Sequence, residues 1–410
     1  MTSLHGSNIT KPLEPTQDPS SLPDAHQDNL AHALHSVVEH TSSEPDASKS
    51  IHAHLHKVSS SSWIHKLVPG LEDLASKYHI GNYVVVRGTG EKFFESMPLY
   101  ARIGMHLLFY GKEQVKVLEH VKYVEDLLRD ESVKQGKIYD SPQSVAAIPH
   151  FIQTYALQLD ELLNPDIKSY HTFNEFFFRK LKADARPIQN PTDPTSFCSP
   201  ADCRMVVYQT VDLAQKFWIK GDEFTLPTLL HLKPDDERLK KYVGGSLAIC
   251  RLAPQDYHRF HCPIDAVNEH GEEGVVDVPG QYYTVNPQAV NEPKLDVFTA
   301  NKRSIIYLKP DSSEAGEVAF IAVGALLVGG IVWTGGKQKG AIKRGDELGY
   351  FAYGGSTILV LFPKGSVKFD EDLVKNSEVP VETLMKVGYS VGHFTTEPVK
   401  PTAPPVDEPK

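Results

Sequence analysis

The sequence predicts an α+β fold: a helical N-terminal section followed by a β-rich part, with a Gly-Gly-Ser-Thr turn at the start of one strand. Three observations predict it. Between residues 91 and 182 apolar positions recur at the spacing of one helix face, as in Ile152, Tyr155, Ala156, Leu159, Leu162 and Leu163. Later in the chain short β-rich runs take over, "RMVVYQTV", "SLAICRLA", "QYYTVNP", "RSIIYLKP" and "STILVLF", separated by Gly, Pro and Asp. In "ELGYFAYGGSTILVLFPKG", Glu347 to Gly365, Gly354, Gly355, Ser356 and Thr357 stand directly ahead of an apolar run suited to a buried strand.

Taken in order, residues 1–60 are rich in Ser, Pro, Asp and His and contain no arginine, so they are expected to be a disordered tail and not a mitochondrial presequence. His52, His54 and His56 in that tail are assigned no function. The stretch "FFESMPLYARIGMHLLFYG" (93–111) reads as a helix, either packed in the core or lying at a membrane interface through Phe93, Met97, Tyr100, Leu107 and Leu108. In "YHTFNEFFFRKL", Thr172 is placed to cap a helix and Glu175, three residues on, to complete a capping box. The longest apolar run, Val318 to Trp333, is short for a membrane span and is interrupted by Gly324, Gly329 and Gly330, so two buried strands and a turn are expected, with no transmembrane segment. "RGDELGYFAYGGST" reads as turn, strand and turn. The proline-rich residues 396–410 form an exposed tail, leaving one domain over 61–395.

Composition narrows the function classes. The 410 residues are 40% hydrophobic, enough for a substantial core. A net charge of −10 and a pI near 6.0 leave no basic stripe to neutralise phosphates, which argues against nucleic acid as partner. Cys198, Cys203, Cys250 and Cys262 show no C-x-x-C spacing, so neither disulfides nor a zinc site is implied, and a reducing, cytoplasmic setting is the simpler expectation.

Two stretches carry titratable groups suited to catalysis. "APQDYHRFHCPID" (253–265) gathers Asp256, His258, Arg259 and His261, an arrangement fit for an acid/base pair or two metal ligands, but no third ligand stands nearby and no metal is expected. "FCSPADCRM" (197–205) places Asp202 just ahead of a strand. Ser356, His261 and Asp202 could then supply nucleophile, base and orienting group. The G-x-S-x-G elbow of ordinary serine hydrolases is missing, because Thr357 follows Ser356. A serine after glycine in a tight turn has another use. If the turn strains the Gly355–Ser356 peptide, the Ser356 hydroxyl can attack the Gly355 carbonyl, and elimination of the resulting ester cuts the chain and leaves a pyruvoyl group, a ketone able to form a Schiff base. The structural alternative is that Gly354 and Gly355 merely begin a strand.

Seven stretches in order together resemble the phosphatidylserine decarboxylase family: "TFNEFFFRKLKADARPI" (172–188), "SPADCR" (199–204), "FWIKGDEFTLPTLL" (217–230), "LAPQDYHRFHCPIDA" (252–266), "GQYYTVNPQAV" (280–290), "VGALLVGGI" (323–331) and "GYFAYGGST" (349–357). The Gly-Gly-Ser-Thr form and "FWIKG" look like the non-mitochondrial, endomembrane branch, in a compact version with no obvious C2-type domain ahead of the catalytic part. The resemblance implies cleavage between Gly355 and Ser356 into a β chain (1–355) and an α chain (356–410), with Ser356 as precursor of the covalent pyruvoyl cofactor and Gly354 and Thr357 supporting the turn. It implies His261 as base and Asp202 as its orienting group in self-processing, His258 in decarboxylation, and Asp256 in support of the histidines. It further implies a phosphatidylserine substrate converted to phosphatidylethanolamine and carbon dioxide through a Schiff base, peripheral membrane contact, and compatibility with a homodimer. Cys203 departs from the common pattern, in which glycine follows the Asp. Two other functions fit parts of the sequence: decarboxylation of a soluble aromatic amino acid by the same chemistry, and an uncleaved pseudoenzyme that binds lipid or protein.

Overall fold

The computed structural model describes residues 34, 35, 38, 81–96, 117–221, 224–291, 296–312, 316–327, 330–353, 356–379 and 381–395. Helices precede most of the strands, and the architecture is mixed α+β. A hairpin comes first, β1 (Gly81–Val86) and β2 (Lys92–Ser96). Positive φ at Gly88 and Gly90 reverses the chain between them, a conformation glycine adopts without strain. Phe93, expected in a helix, is therefore extended, opposite Val84. Met97, Tyr100, Leu107 and Leu108 lie outside the described residues.

Three helices follow: α1 (Val117–Tyr139), α2 (Ile148–Tyr155) and α3 (Phe173–Phe177). The apolar periodicity over 152–163 promises more helix than forms. Ala156 turns left-handed at φ 50°, and the Leu157 amide donates back to the Ile152 carbonyl at 3.1 Å, closing α2. Leu162 pairs instead with Leu181 in an isolated bridge. At α3 the Thr172 hydroxyl accepts from the Glu175 amide at 3.1 Å, as the capping pattern predicts. The Glu175 carboxylate reaches one residue further back than a capping box requires, to the His171 amide at 2.6 Å.

The remaining strands are β3 (Ser196–Cys198), β4 (Cys203–Tyr208), β5 (Ser246–Leu252), β6 (Arg259–His261), β7 (Ala266–Asn268) and β8 (Val276–Val278). Then come β9 (Arg303–Pro310), β10 (Val318–Gly324), β11 (Ile331–Trp333), β12 (Gly340–Ile342) and β13 (Glu347–Phe351). The last four are β14 (Ser356–Phe362), β15 (Val367–Phe369), β16 (Glu382–Met385) and β17 (Ser390–Phe394). The run from Val318 to Trp333 contains two strands, of which β10 is buried throughout as expected and β11 is exposed at Val332, and "ELGYF" is a strand. "QYYTVNP" is not: the Asn301 side chain takes the Tyr283 amide at 2.9 Å and gives a hydrogen bond to the Tyr283 carbonyl at 2.8 Å, replacing a strand partner.

One large sheet runs in the order β12-β7-β9-β10-β14-β5-β4-β16-β1-β2, with β8 also on β9, and two three-stranded sheets, β11-β13-β6 and β15-β17-β3, accompany it. Side chains alternate across the large sheet, so Leu359 and Leu361 enter a core shared with the helices, while Ile358, Val360 and Phe362 enter a second core on the other face. Both faces are covered, which is why β10 and β14 read as unbroken apolar runs. Within the segment expected to be an N-terminal tail, Leu34, His35 and Val38 are helical, and Leu34 and Val38 are buried in the helix-side core. The other residues of 1–60 lie outside the described residues, as does the tail at 396–410. All four cysteines are buried and free. Among the described residues no helix is long and apolar enough to cross a membrane.

Candidate active site

Three adjacent strands reach the same end of the large sheet at Ser356. It opens β14, opposite Gly324, the last residue of β10, and opposite Leu252, the last residue of β5. The loop leaving β5 carries Ala253 to His258, so the sheet register itself brings that turn to Ser356. Ser356 is fully buried, and its Oγ lies 3.5 Å from His258 Nδ1. The segment before the two glycines is pinned as well. The Tyr353 amide donates to Asn174 Oδ1 at 2.7 Å, and its ring meets Tyr139 at 4.3 Å and Phe177 at 4.9 Å. Gly354 and Gly355 lie outside the described residues.

His258 is held on three sides. Its Nε2 faces the Ala253 carbonyl at 3.1 Å, its ring stacks on Phe177 at 4.0 Å, and its own carbonyl accepts from the Phe351 amide at 2.9 Å. A carbonyl can only accept, so the proton sits on Nε2 and the Nδ1 lone pair faces Ser356. Burial first, and then the nearby Arg179 charge, push the imidazole down to about 3, so it is neutral at physiological pH.

Asp256 fixes the turn beneath that ring. Its Oδ2 accepts from the Ala253 amide at 2.7 Å and pairs with Arg204. Arg204 also pairs with Glu95 at 2.5 Å, and Arg251 bridges Glu95 at 2.9 Å and Glu382 at 2.5 Å. Burial raises the Asp256 carboxyl to about 6 against the pull of Arg204. Burial also opposes ionisation of Glu95, but two arginines outweigh it and hold that carboxyl at about 2.

The serine, base and orienting group expected from sequence are not joined into one hydrogen-bonded chain. His261 Nδ1 meets the Gly345 carbonyl at 2.7 Å and its Nε2 meets the Tyr257 hydroxyl at 3.2 Å. Asp202 accepts from Arg186 Nε at 2.9 Å and Nη2 at 2.7 Å, and from the Val387 amide at 2.9 Å. The two histidines are held by different partners: His258 precedes the strand at 259–261 and stacks on Phe177 beside Ser356, whereas His261 ends that strand between the Gly345 carbonyl and the Tyr257 hydroxyl. The short-turn arrangement weighed from sequence would have put both rings together. Thr357 is also buried, and its Oγ1 has no partner among the described residues.

Arg186 lies inside the "ADARPI" stretch already singled out from sequence, and Phe177 inside "NEFFF". Their chemical use was not legible there, because each partner is distant in the chain. Among the described residues no group of three or more His, Cys, Asp and Glu is placed to hold a metal ion.

The family model described as phosphatidylserine decarboxylase matches residues 173–393, more than half of the chain. The chain belongs to the phosphatidylserine decarboxylase family. It is 45% identical over 316 residues to phosphatidylserine decarboxylase proenzyme 3 of Schizosaccharomyces pombe, covering 77% of this chain and 31% of that protein. Against proenzyme 2 of Komagataella phaffii it is 42% identical over 313 residues, covering 76% and 30%. Against the phosphatidylserine decarboxylase proenzyme of Fusobacterium nucleatum it is 37% identical over 312 residues, covering 75% of this chain and 96% of that protein. The chain thus spans less than a third of the length of the two fungal family members and nearly all of the bacterial one. The matched region contains Asp202, Asp256, His258, His261 and Ser356.

Proposed function

We propose that this chain is the precursor of a pyruvoyl-dependent decarboxylase that cuts itself between Gly355 and Ser356 and then converts phosphatidylserine to phosphatidylethanolamine and carbon dioxide. The observation that carries the proposal is the buried Ser356 hydroxyl, 3.5 Å from a neutral imidazole at the head of a central strand. Family members named as proenzymes support it.

In the processing step, Ser356 Oγ loses its proton to a base and bonds to the Gly355 carbonyl carbon; the peptide C–N bond breaks, and the Ser356 nitrogen takes a proton. Removal of the Ser356 Cα proton then breaks the Cβ–O bond, leaving Gly355 with a carboxylate and residue 356 as dehydroalanine. Addition of water and loss of ammonia complete the conversion, giving chains of residues 1–355 and 356–410. The residues fit such a group, since serine is its precursor and Ser356 is fully buried beside His258. A pyruvoyl group supplies an electrophile for the substrate amine and an electron sink for the departing carboxylate.

His258 is assigned to decarboxylation, because its Nδ1 lone pair is the proton acceptor that faces residue 356. Asp256 supports it by fixing Ala253, whose carbonyl orients the ring. Asp202 and His261 are retained as the processing pair implied by the family. Mass analysis of two variants decides this assignment: processing lost in His261→Ala and kept in His258→Ala supports the pair, and the reverse gives the processing base to His258. A lipid substrate also requires peripheral contact with a bilayer, which flotation with phosphatidylserine vesicles measures.

The deciding experiment is denaturing electrophoresis with intact mass spectrometry of the wild type beside Ser356→Ala. The wild type yields residues 1–355 and a pyruvoyl-headed fragment 356–410, and the variant stays whole. A single uncut chain in both samples overturns the proposal. Carbon dioxide released from a free aromatic amino acid and not from phosphatidylserine vesicles would redirect it to a soluble substrate.

A further inference from the structure

Among the described residues five arginines lie around the site, and four of them meet a carboxylate of another described residue directly. Arg186 meets Asp202 and Glu161, Arg204 meets Glu95 and Asp256, Arg251 meets Glu95 and Glu382, and Arg259 meets Glu347. Arg179 differs. It is 6% exposed, and its hydrogen bonds run to backbone carbonyls: Phe177 at 3.3 Å from Nη1, and Gln255 at 3.1 Å and Asp256 at 3.3 Å from Nη2. Its guanidinium also lies 5.3 Å from the Phe176 ring centroid. Burying a guanidinium without a carboxylate in contact is costly, so its place calls for a use.

The three carbonyls belong to two segments that converge on one side chain. Phe177 provides the ring stacked on His258, and Gln255 and Asp256 belong to the turn that delivers His258. We propose that Arg179 is a positioning residue: it clamps the His258 imidazole between the end of α3 and the 253–257 turn, and its unpaired charge disfavours a second positive charge there. The groups acting on His258 from its surroundings are Phe177 from α3, Arg179 just beyond α3, the Ser356 hydroxyl from β14, the Ala253 and Pro254 carbonyls on its own turn, and Arg204 from β4, itself paired with Asp256. The Arg204 charge is met by Glu95 and Asp256, whereas Arg179 feels the charges of Asp202 and Asp256 without a hydrogen bond to either carboxylate. Consistent with this, burial is the largest influence lowering the His258 pKa, and Arg179 acts on it ahead of Arg204.

The proposal rests on the function proposed above, and its test separates the two. In the uncleaved Ser356→Ala chain, histidine labelled at Cε1 is titrated by NMR, with His258 identified by the signal lost in His258→Asn. Arg179→Gln is expected to raise the His258 midpoint by about one unit or more, while Arg179→Lys leaves it near the parent value. In the processed enzyme, Arg179→Lys is expected to lower kcat about tenfold with KM within about twofold, because a single ammonium cannot hold both segments. An unshifted His258 midpoint in Arg179→Gln overturns the electrostatic role. Wild-type kcat in Arg179→Lys overturns the clamp, and remains decisive if Arg179→Gln does not fold. A raised KM at constant kcat also overturns it and makes Arg179 a substrate-anion contact. Failure of the wild type to cleave or decarboxylate defeats the proposed function, while the titration still decides on Arg179.

Discussion

The aromatic wall next to Ser356 and the ionic wall behind Asp256 enclose the same turn by opposite means. On one side Tyr139, Phe173, Phe177 and Tyr353 pack ring against ring, with Tyr139 and Phe173 stacked at 4.2 Å and Phe173 and Tyr353 edge-on at 5.6 Å. On the other, Glu95, Arg204, Asp256, Arg251 and Glu382 form a largely buried network of pairs. Ring packing is apolar and tolerant in direction, so that wall chiefly removes water and keeps His258 neutral. Ion pairs are directional, so the other wall chiefly fixes where Ala253 and His258 stand. Dryness and placement are thus supplied by separate parts of the sequence.

The largest expected effect comes from breaking the ionic wall. Arg204→Ala leaves Glu95 and Asp256 short of a shared buried partner and is expected to cost about 3–5 kcal/mol, read from urea unfolding of the Ser356→Ala chain. A loss below about 1 kcal/mol would mean that the network behaves like a solvated surface pair.

Glu95→Gln keeps the shape and removes one charge, with an expected cost of about 2 kcal/mol at pH 7. The pH dependence gives a sharper test. The folded-state pKa of Glu95 lies below its ordinary value, so its contribution is fully present above about pH 4.5 and fades as pH falls toward about 2. The stability gap between parent and variant is therefore expected to narrow over that window. Asp256 works in the other sense: with its carboxyl raised to about 6, keeping it ionised in the fold becomes more costly as pH rises from its ordinary carboxylate value to about 6. A gap that stays constant from pH 7 to pH 3 would exclude Glu95 as an ionised member of the network.

The smallest expected change is on the aromatic side. Phe177→Leu keeps most of the buried volume but removes the ring stacked on His258, and is expected to cost about 1 kcal/mol with no pH dependence between pH 5 and pH 8. Its kcat is expected to fall by more than that stability loss alone accounts for, measured as carbon dioxide release by fully processed enzyme. Equal behaviour of Phe177→Leu and Arg204→Ala across pH would erase the distinction between the walls.

Much of this site was legible in the chain. The β14 run and the position of Ser356 at its head follow from a continuous apolar stretch after two glycines, and the α3 cap follows from Thr172 and Glu175. The end of α2 was not, because an alanine in the left-handed region carries no local signal. The separation of His258 from His261 was hidden too, because each ring is oriented by partners distant in the chain, Phe177 and Ser356 for one and Gly345 for the other.

By itself the sequence determined the mixed α+β class, the capped helix at Thr172, the buried strand that begins at Ser356, and the stretches that hold Asp202, Asp256, His258 and His261, since periodicity, capping and turn chemistry are local properties. Tertiary structure alone decided that His258 is the imidazole facing Ser356, that Arg186 holds Asp202, and that Glu95 meets Arg204 and Arg251. Those contacts join residues far apart in the chain, and sheet register and burial, which no local pattern encodes, bring them together.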